Sequence, residues 1–308
     1  MTSYSKRLAK DPVEMKKTAL ITVFSILSAL SGLQAQEGPR LIVRGDDIGS
    51  THGANLGCIQ SYKDGIMRST EIMVPCPWFP EAVEMLKETP DLDVGVHITL
   101  TSEWENIKWG PLTHAPSLTD ADGYFYPQIW PSERFPEDRT IRGAAWKLEE
   151  IEAEMRAQIE LALKYIPQVS HLSCHMGCTM IDKQVAEVFE KLAEEYELDI
   201  DPGDYKVNAL PESIRGESTE ERVDAFIEGL KKLKPGETYL FVEHPAVAGN
   251  EMEAVGHDAY YTVNSDRQKV LEMFTSPRIK QTIEELGIEL ISYADLARYL
   301  KNPKGRIY

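Results

Sequence analysis

The sequence predicts an α/β fold in which about seven strands form a (β/α) barrel-like, TIM-barrel-like sheet that is either closed or incomplete. Short apolar segments alternate with amphipathic segments along the 308 residues, and such alternation favours a parallel sheet with helices outside it. The length and the lack of an internal repeat suit one large domain. A doubly wound open sheet is the alternative that the same alternation allows.

The individual elements follow from local apolar patterns. The strand candidates are 40–47, 68–75, 92–99, 168–176, 197–201, 238–244 and 288–292. The helix candidates are 52–64, 79–87, 144–166, 183–196, 218–233, 266–275 and 277–286. In the third helix, apolar residues recur at helical spacing and predict a side that faces the core. They are Ile151, Met155, Ile159 and Leu163.

The interval 100–143 interrupts this alternation with aromatic residues among polar ones. A connection of about 40 residues is long for a link between a strand and a helix, and such loops are often functional. Aromatic rings among polar groups suit stacking on sugar rings, so Trp104 and Trp109 are candidate substrate contacts. A small satellite core beneath the loop is the alternative.

Residues 1–35 are predicted to be a secretory signal peptide. Lys16 and Lys17 precede an apolar run at 18–30, and Ala35 offers a cleavage site. The run is shorter than the ~17–25 residues that a transmembrane helix needs, so we expect no stable membrane span. A buried first helix is the alternative. The prediction is an exported protein, periplasmic or extracellular, with residues 36–308 forming a single domain.

The acidic charge and the cysteines narrow the classes of partner and site. The formal net charge of −17 argues against nucleic-acid binding, because phosphate contacts need a basic face. Export would permit disulfides without requiring them. We expect most cysteines to be small buried residues, and Cys178 is a weaker candidate metal ligand. The four are Cys58, Cys76, Cys174 and Cys178.

Two adjacent carboxylates follow the first predicted strand. The apolar run at 41–43 leads to Asp46 and Asp47, at the strand end where barrels and open α/β sheets collect catalytic groups. One carboxylate is predicted to bind a metal while its neighbour acts as a base. The alternative is that the pair caps the helix that begins after Ser50 and Thr51.

Histidines end three further predicted strands. They are His97, His175 and His244, and His171 shares a strand face with His175. In a parallel barrel all these strand ends lie on one rim. One Asp and two His side chains suit Zn²⁺ or another divalent metal that keeps an open water position.

Together these motifs resemble the YdjC/ChbG-like carbohydrate deacetylases. The similar segments are 43–49, with 55–57 and 65–70 after it, then 95–100, 171–175, 243–245 and 290–296. The resemblance implies a (β/α) barrel-like deacetylase fold and hydrolysis of N-acetyl groups on amino sugars such as chitooligosaccharides. It also implies a divalent metal, Zn or Mg.

Carried over by position, the resemblance implies that Asp47, His97 and His175 are the metal ligands and that Asp46 is the general base. The family pattern usually has Asp two residues before its last metal His and another His two residues after it. Ser173 and Gly177 occupy those places here. We therefore expect the surroundings of the metal and the adjacent sugar subsite to differ from the family pattern.

Three further residues complete the predicted site. His244 is the candidate donor of a proton to the leaving amine, and a structural His fixed by Pro245 is the alternative. Arg44 and Arg267 could orient the base or bind a substrate carboxylate. A carbohydrate is the expected partner, and association into a homodimer is compatible with the sequence.

Two other functions remain open from the sequence. The first is a metal-dependent amide or ester hydrolase with a non-sugar substrate. The second is an exported carbohydrate-binding protein without turnover, against which the intact set of candidate catalytic residues argues.

Overall fold

The computed structural model describes residues 37–299, so the predicted signal peptide lies outside the described residues. A parallel sheet of seven strands organises this part of the chain. The strands are β1 (Arg40–Ile48), β2 (Ser69–Ile72), β3 (Asp93–Ile98), β4 (Val169–Cys174), β5 (Asn208–Ala209), β6 (Thr238–Glu243) and β7 (Glu289–Ile291).

The strand order identifies the sheet as an open barrel. It runs β4-β3-β2-β1-β6-β5, and β7 pairs with the first half of β1. On one side of β1 lie β2, β3 and β4 in chain order, and on the other side lie β6 and then β5, as in a ring whose first and last strands are neighbours. In a doubly wound sheet with the order 3-2-1-4-5-6, β4 would lie beside β1 instead. The incomplete (β/α) barrel is therefore confirmed, with its opening between β4 and β5.

Helices connect the strands and cover the outer face of the sheet. They are α1 (His52–Lys63), α2 (Phe79–Lys87), α3 (Leu148–Tyr165), α4 (Lys183–Glu195), α5 (Thr219–Leu230), α6 (Val263–Phe274), α7 (Pro277–Glu285) and α8 (Tyr293–Tyr299). The seven predicted helices are present and α8 was not predicted. In α3, Ile151, Met155 and Ile159 are buried, whereas the prediction for Leu163 is wrong because its side chain is 37% exposed. Between residues 37 and 299, no helix has both the length and the apolar character needed to cross a membrane.

The predicted strand at 197–201 is wrong. Leu172 of β4 donates one backbone hydrogen bond to the Leu198 carbonyl at 3.2 Å. The ladder does not extend, because Glu197 has a left-handed backbone (φ 58°) and Pro202 has no N–H to donate. The two-residue β5 takes the place of the predicted strand, and the barrel opens here.

The long loop between β3 and α3 adds apolar side chains to the main hydrophobic core. Leu118, Phe125 and Ile141 of this loop are completely buried. Trp109 is also buried, and its Nε1 donates to the Thr101 carbonyl at 2.7 Å. Trp109 therefore belongs to the main core, and neither a sugar-stacking role nor a separate satellite core describes it.

The inner face of the sheet changes character along the strands. Near their amino ends, Ile42 and Ile291 belong to a small buried apolar cluster. In the middle, Arg44, Glu71 and His171 form a buried polar layer. The carboxyl ends beyond this layer bear the candidate site.

Candidate metal centre and active-site cavity

A break in β1 turns two consecutive carboxylates toward the same side. Successive residues of a regular strand point to opposite faces. Here the register of β1 with β2 shifts between Gly45 and Ile48, and Asp47 has a left-handed backbone with φ 74°. Both Asp46 and Asp47 therefore line one cavity. A left-handed non-glycine residue costs about 1–3 kcal/mol, and such strain clusters at functional sites.

The Asp pair does not cap the following helix. Thr51 is the N-cap of α1, and its side chain accepts a hydrogen bond from the Ala54 amide at 2.9 Å. The carboxylates remain available for chemistry.

Asp47, His97 and His175 are brought together by three strands, as the sequence predicted. Asp47 Oδ1 lies 3.8 Å from His97 Nε2 and 3.5 Å from His175 Nδ1. The ligands of a tetrahedral zinc ion lie roughly 3.3–3.6 Å apart, given bonds of about 2.0–2.2 Å. Asp47 Oδ1 is buried and accepts no hydrogen bond from the described residues. One orphaned carboxylate oxygen facing two imidazoles fits a divalent metal.

In each imidazole, the ring nitrogen that does not face Asp47 contacts another side chain. His97 Nδ1 contacts Ser173 Oγ at 2.7 Å, and His175 Nε2 contacts Glu103 Oε2 at 3.1 Å. Burial and the neighbouring His175 lower the pKa of His97 to about 3. Burial alone would also lower the pKa of His175, but Glu103 and Asp47 outweigh it and raise that pKa to about 10. A bound metal would require the neutral form of both rings, so metal binding at His175 would release a proton. Outer contacts of this kind fix the orientation of metal-binding histidines.

Each carboxylate of the pair has its own arginine. Arg44 Nη2 donates to Asp46 Oδ2 at 2.9 Å, and its Nε lies 2.7 Å from Oδ1. Arg267 Nη2 donates to Asp47 Oδ2 at 2.8 Å, which leaves Oδ1 facing the histidines. Burial alone would raise the pKa of Asp47, but Arg267 and His244 hold it well below its usual value. Arg44 is therefore placed to orient the candidate base, whereas Arg267 pairs with the candidate ligand.

His244 lies at the edge of the same group. Its Nε2 is 4.0 Å from Asp47 Oδ2 and its Nδ1 is 3.7 Å from Glu243 Oε2. The side chain is 40% exposed and lines the cavity. Burial alone would lower the pKa of His244, but Asp47 and Glu243 outweigh it and raise the pKa.

A cavity of about 820 Å³ opens above these residues. Trp104, His257 and Tyr260 contribute aromatic surface to its wall, and Trp104 stacks on His257 with ring centroids 5.7 Å apart. Within the described residues, Trp109 is not part of the lining. The volume is within the ~300–1,000 Å³ typical of small-molecule sites.

Cys174 and Cys178 form a disulfide that brackets the candidate ligand His175. Cys178 is therefore not a free thiolate ligand, and only Cys58 and Cys76 match the expectation of buried, unpaired thiols. Between the two cysteines, Met176 and Gly177 both have left-handed backbones. The disulfide thus closes a tight loop around the candidate ligand.

We expect replacement of both bracketing cysteines by serine to lower the free energy of unfolding by about 2 kcal/mol, from the chain entropy of a short closed loop. Chemical denaturation with and without a reductant measures this. The reductant should destabilise the wild-type chain and leave the double variant unchanged. Equal sensitivity of both proteins would contradict a stabilising role for this disulfide.

Sequence reasoning missed Glu71 and Glu103. An acidic residue in the middle of a predicted buried strand could have singled out Glu71. Glu103 lies in an irregular loop, where no periodic pattern separates it from solvated acids.

The fold and this site together define a parallel half-barrel protein with a candidate Asp-His-His metal centre at the carboxyl ends of its strands. Residues 40–285 match the family described as YdjC-like protein, and the chain belongs to that family.

Similar proteins include a carbohydrate deacetylase of Listeria monocytogenes serotype 4a, 30% identical over 83% of this chain and 100% of the relative. A chitooligosaccharide deacetylase of Yersinia enterocolitica is 29% identical over 83% of this chain and 98% of the relative. A solved structure from Enterococcus faecalis V583, for which cellobiose-phosphate cleavage is a proposed role, has a TM-score of 0.65 and 26% identity. It covers 84% of this chain and 99% of its own.

Proposed function

We propose that this protein is a metal-dependent carbohydrate deacetylase that removes N-acetyl groups from amino sugars or their oligosaccharides. The observation that carries the proposal is the Asp47, His97 and His175 group beside Asp46 in an open cavity. The names of the similar proteins support the substrate class. The two imidazoles favour Zn²⁺ over Mg²⁺, which prefers oxygen ligands.

Different residues of the cavity carry out different steps of amide hydrolysis. A bound divalent metal would polarise the acetyl carbonyl and lower the pKa of water. Asp46, held by Arg44, takes the proton of the water that attacks the carbonyl carbon. The C–N bond then breaks, His244 donates a proton to the leaving amine, and acetate is the second product. Arg267 occupies one oxygen of Asp47 and keeps the other directed at the histidines.

A substrate panel tests the proposal. Acetate release is measured from N-acetylglucosamine oligomers and from aryl acetates, with added zinc and with the Asp47→Ala variant as a control. We expect sugar deacetylation that the variant lacks. Turnover of aryl acetates alone would favour a hydrolase with a non-sugar substrate. Sugar binding without acetate release would favour a binding protein.

His244→Ala should slow deacetylation of amino sugars more than hydrolysis of an activated aryl acetate. A good leaving group needs no proton from an acid, whereas an amine does. We expect a loss of about 10²-fold or more on the amide and a smaller loss on the ester. If the kinetic constants for both substrates fall equally, His244 is structural or a ligand.

We also propose that the protein is exported, on the basis of the basic residues before the apolar run at 18–30 and the small residue at Ala35. A disulfide of the kind between Cys174 and Cys178 persists in oxidising compartments, which supports the proposal. N-terminal sequencing of the protein from its native host should find a mature chain that begins near Gln36. Retention of residues 1–30 would refute export by cleavage.

A further inference from the structure

Glu71 is a completely buried carboxylate that the proposed reaction does not use. Its Oε1 lies 2.7 Å from His171 Nε2 and 3.6 Å from Arg44 Nε, and its Oε2 accepts a short hydrogen bond from Ser173 Oγ. Arg44 contacts both Glu71 and the candidate base Asp46. Ser173 contacts both Glu71 and the candidate metal ligand His97.

A glycine makes this arrangement sterically feasible. Glu71 lies in β2 and His171 in β4, and Gly95 of the intervening β3 pairs in register with both. A Cβ atom at Gly95 would lie 2.2 Å from Glu71 Oε2 and 2.5 Å from His171 Nε2. The two side chains can therefore meet across β3 only because position 95 has no side chain.

The direction of the hydrogen bonds determines the tautomer of His97. The Ser173 hydroxyl has one proton, and it donates that proton to Glu71. The 2.7 Å contact of Ser173 Oγ with His97 Nδ1 must then have the ring nitrogen as its donor. A neutral His97 protonated on Nδ1 presents a free lone pair on Nε2, the atom that faces Asp47.

We propose that Glu71 is a positioning residue that fixes His97 for the metal through Ser173 and fixes the base Asp46 through Arg44. Glu71 thereby supplies, from β2, a carboxylate near the place where the family pattern has Asp at position 173. This inference rests on the proposed function for its metal and its base.

The first test is zinc affinity, measured by competition with a chromogenic chelator on the full chain. Ser173→Ala removes the acceptor of His97 Nδ1 and should weaken zinc binding about 10–100-fold, as changes behind a metal ligand do. Ser170→Ala is the matched control. Ser170 hydrogen-bonds Asp93 and His171 in the same buried layer but has no contact with His97 among the described residues. A merely structural network would lower the thermal midpoint of both variants and change zinc affinity in neither.

The second test separates the effect of Glu71 on His97, through Ser173, from its effect on Asp46, through Arg44. Glu71→Gln keeps the size of the side chain, and it should weaken zinc binding and also lower kcat at saturating zinc. Adding Ser173→Asp to Glu71→Gln should restore zinc affinity, because a carboxylate again accepts from His97. Wild-type zinc affinity in both Ser173→Ala and Glu71→Gln would overturn this inference and leave the proposed function standing. A wild-type chain that binds no zinc would overturn both.

Discussion

Asp46→Asn should keep bound zinc and lose about 10²–10⁴-fold in turnover of an N-acetylated sugar, the range for loss of a general base. The amide has the size of the carboxylate but cannot take the proton of the attacking water. Its neighbour provides the contrast, because Asp47→Asn should lose zinc as well as activity. Metal content after dialysis and kcat at saturating zinc measure the two effects separately.

The contrast between neighbours makes this prediction sharp. Asp46 and Asp47 are adjacent in sequence, and both are buried and paired with an arginine. Each has an oxygen 3.8 Å from His97 Nε2, but only Asp47 also lies close to His175, at 3.5 Å. If Asp46→Asn loses zinc too, Asp46 is itself a ligand and the base must be sought elsewhere.

His175→Ala should lose zinc and bring deacetylation to background while the chain still folds. His175 Nδ1 is one of three candidate ligand atoms, so its loss should cost more zinc affinity than the ~10–100-fold of changes behind a ligand. Chelator competition measures the affinity, and circular dichroism checks the fold. His114→Ala is the control, because His114 is exposed and lies outside the cavity lining. Full zinc occupancy in His175→Ala would remove this residue from the ligand set.

The rim of the barrel was predictable because strand ends carry a simple signal. Polar residues directly after apolar runs placed Asp47, His97 and His175 on one rim, and the structure brings these three together. The (β/α) alternation likewise predicted the order of helices and strands. These features depend on spacing within one segment, which a sequence records directly.

Features that depend on contacts between segments were not predictable. The joint orientation of Asp46 and Asp47 requires a break in β1 and a left-handed residue, whereas regular alternation would separate the two side chains. The contact of Glu71 with His171 requires a glycine in the strand between them.

The wrong predictions have local physical causes. The segment 197–201 alternates acidic and apolar residues as a strand does, but its flanking backbone prevents a ladder from forming. Trp109 looked like a sugar contact because aromatic rings both stack on sugars and pack in cores. Only its burial in the structure shows that it packs in the core.

The central claim is that the Asp47, His97 and His175 group holds the metal on which deacetylation depends. The most direct measurement is acetate release from N-acetylglucosamine oligomers after the protein has been stripped with a chelator and titrated with zinc. The account predicts that activity vanishes on stripping and returns fully at one zinc ion per chain. Undiminished acetate release from a protein whose measured metal content is close to zero would contradict it.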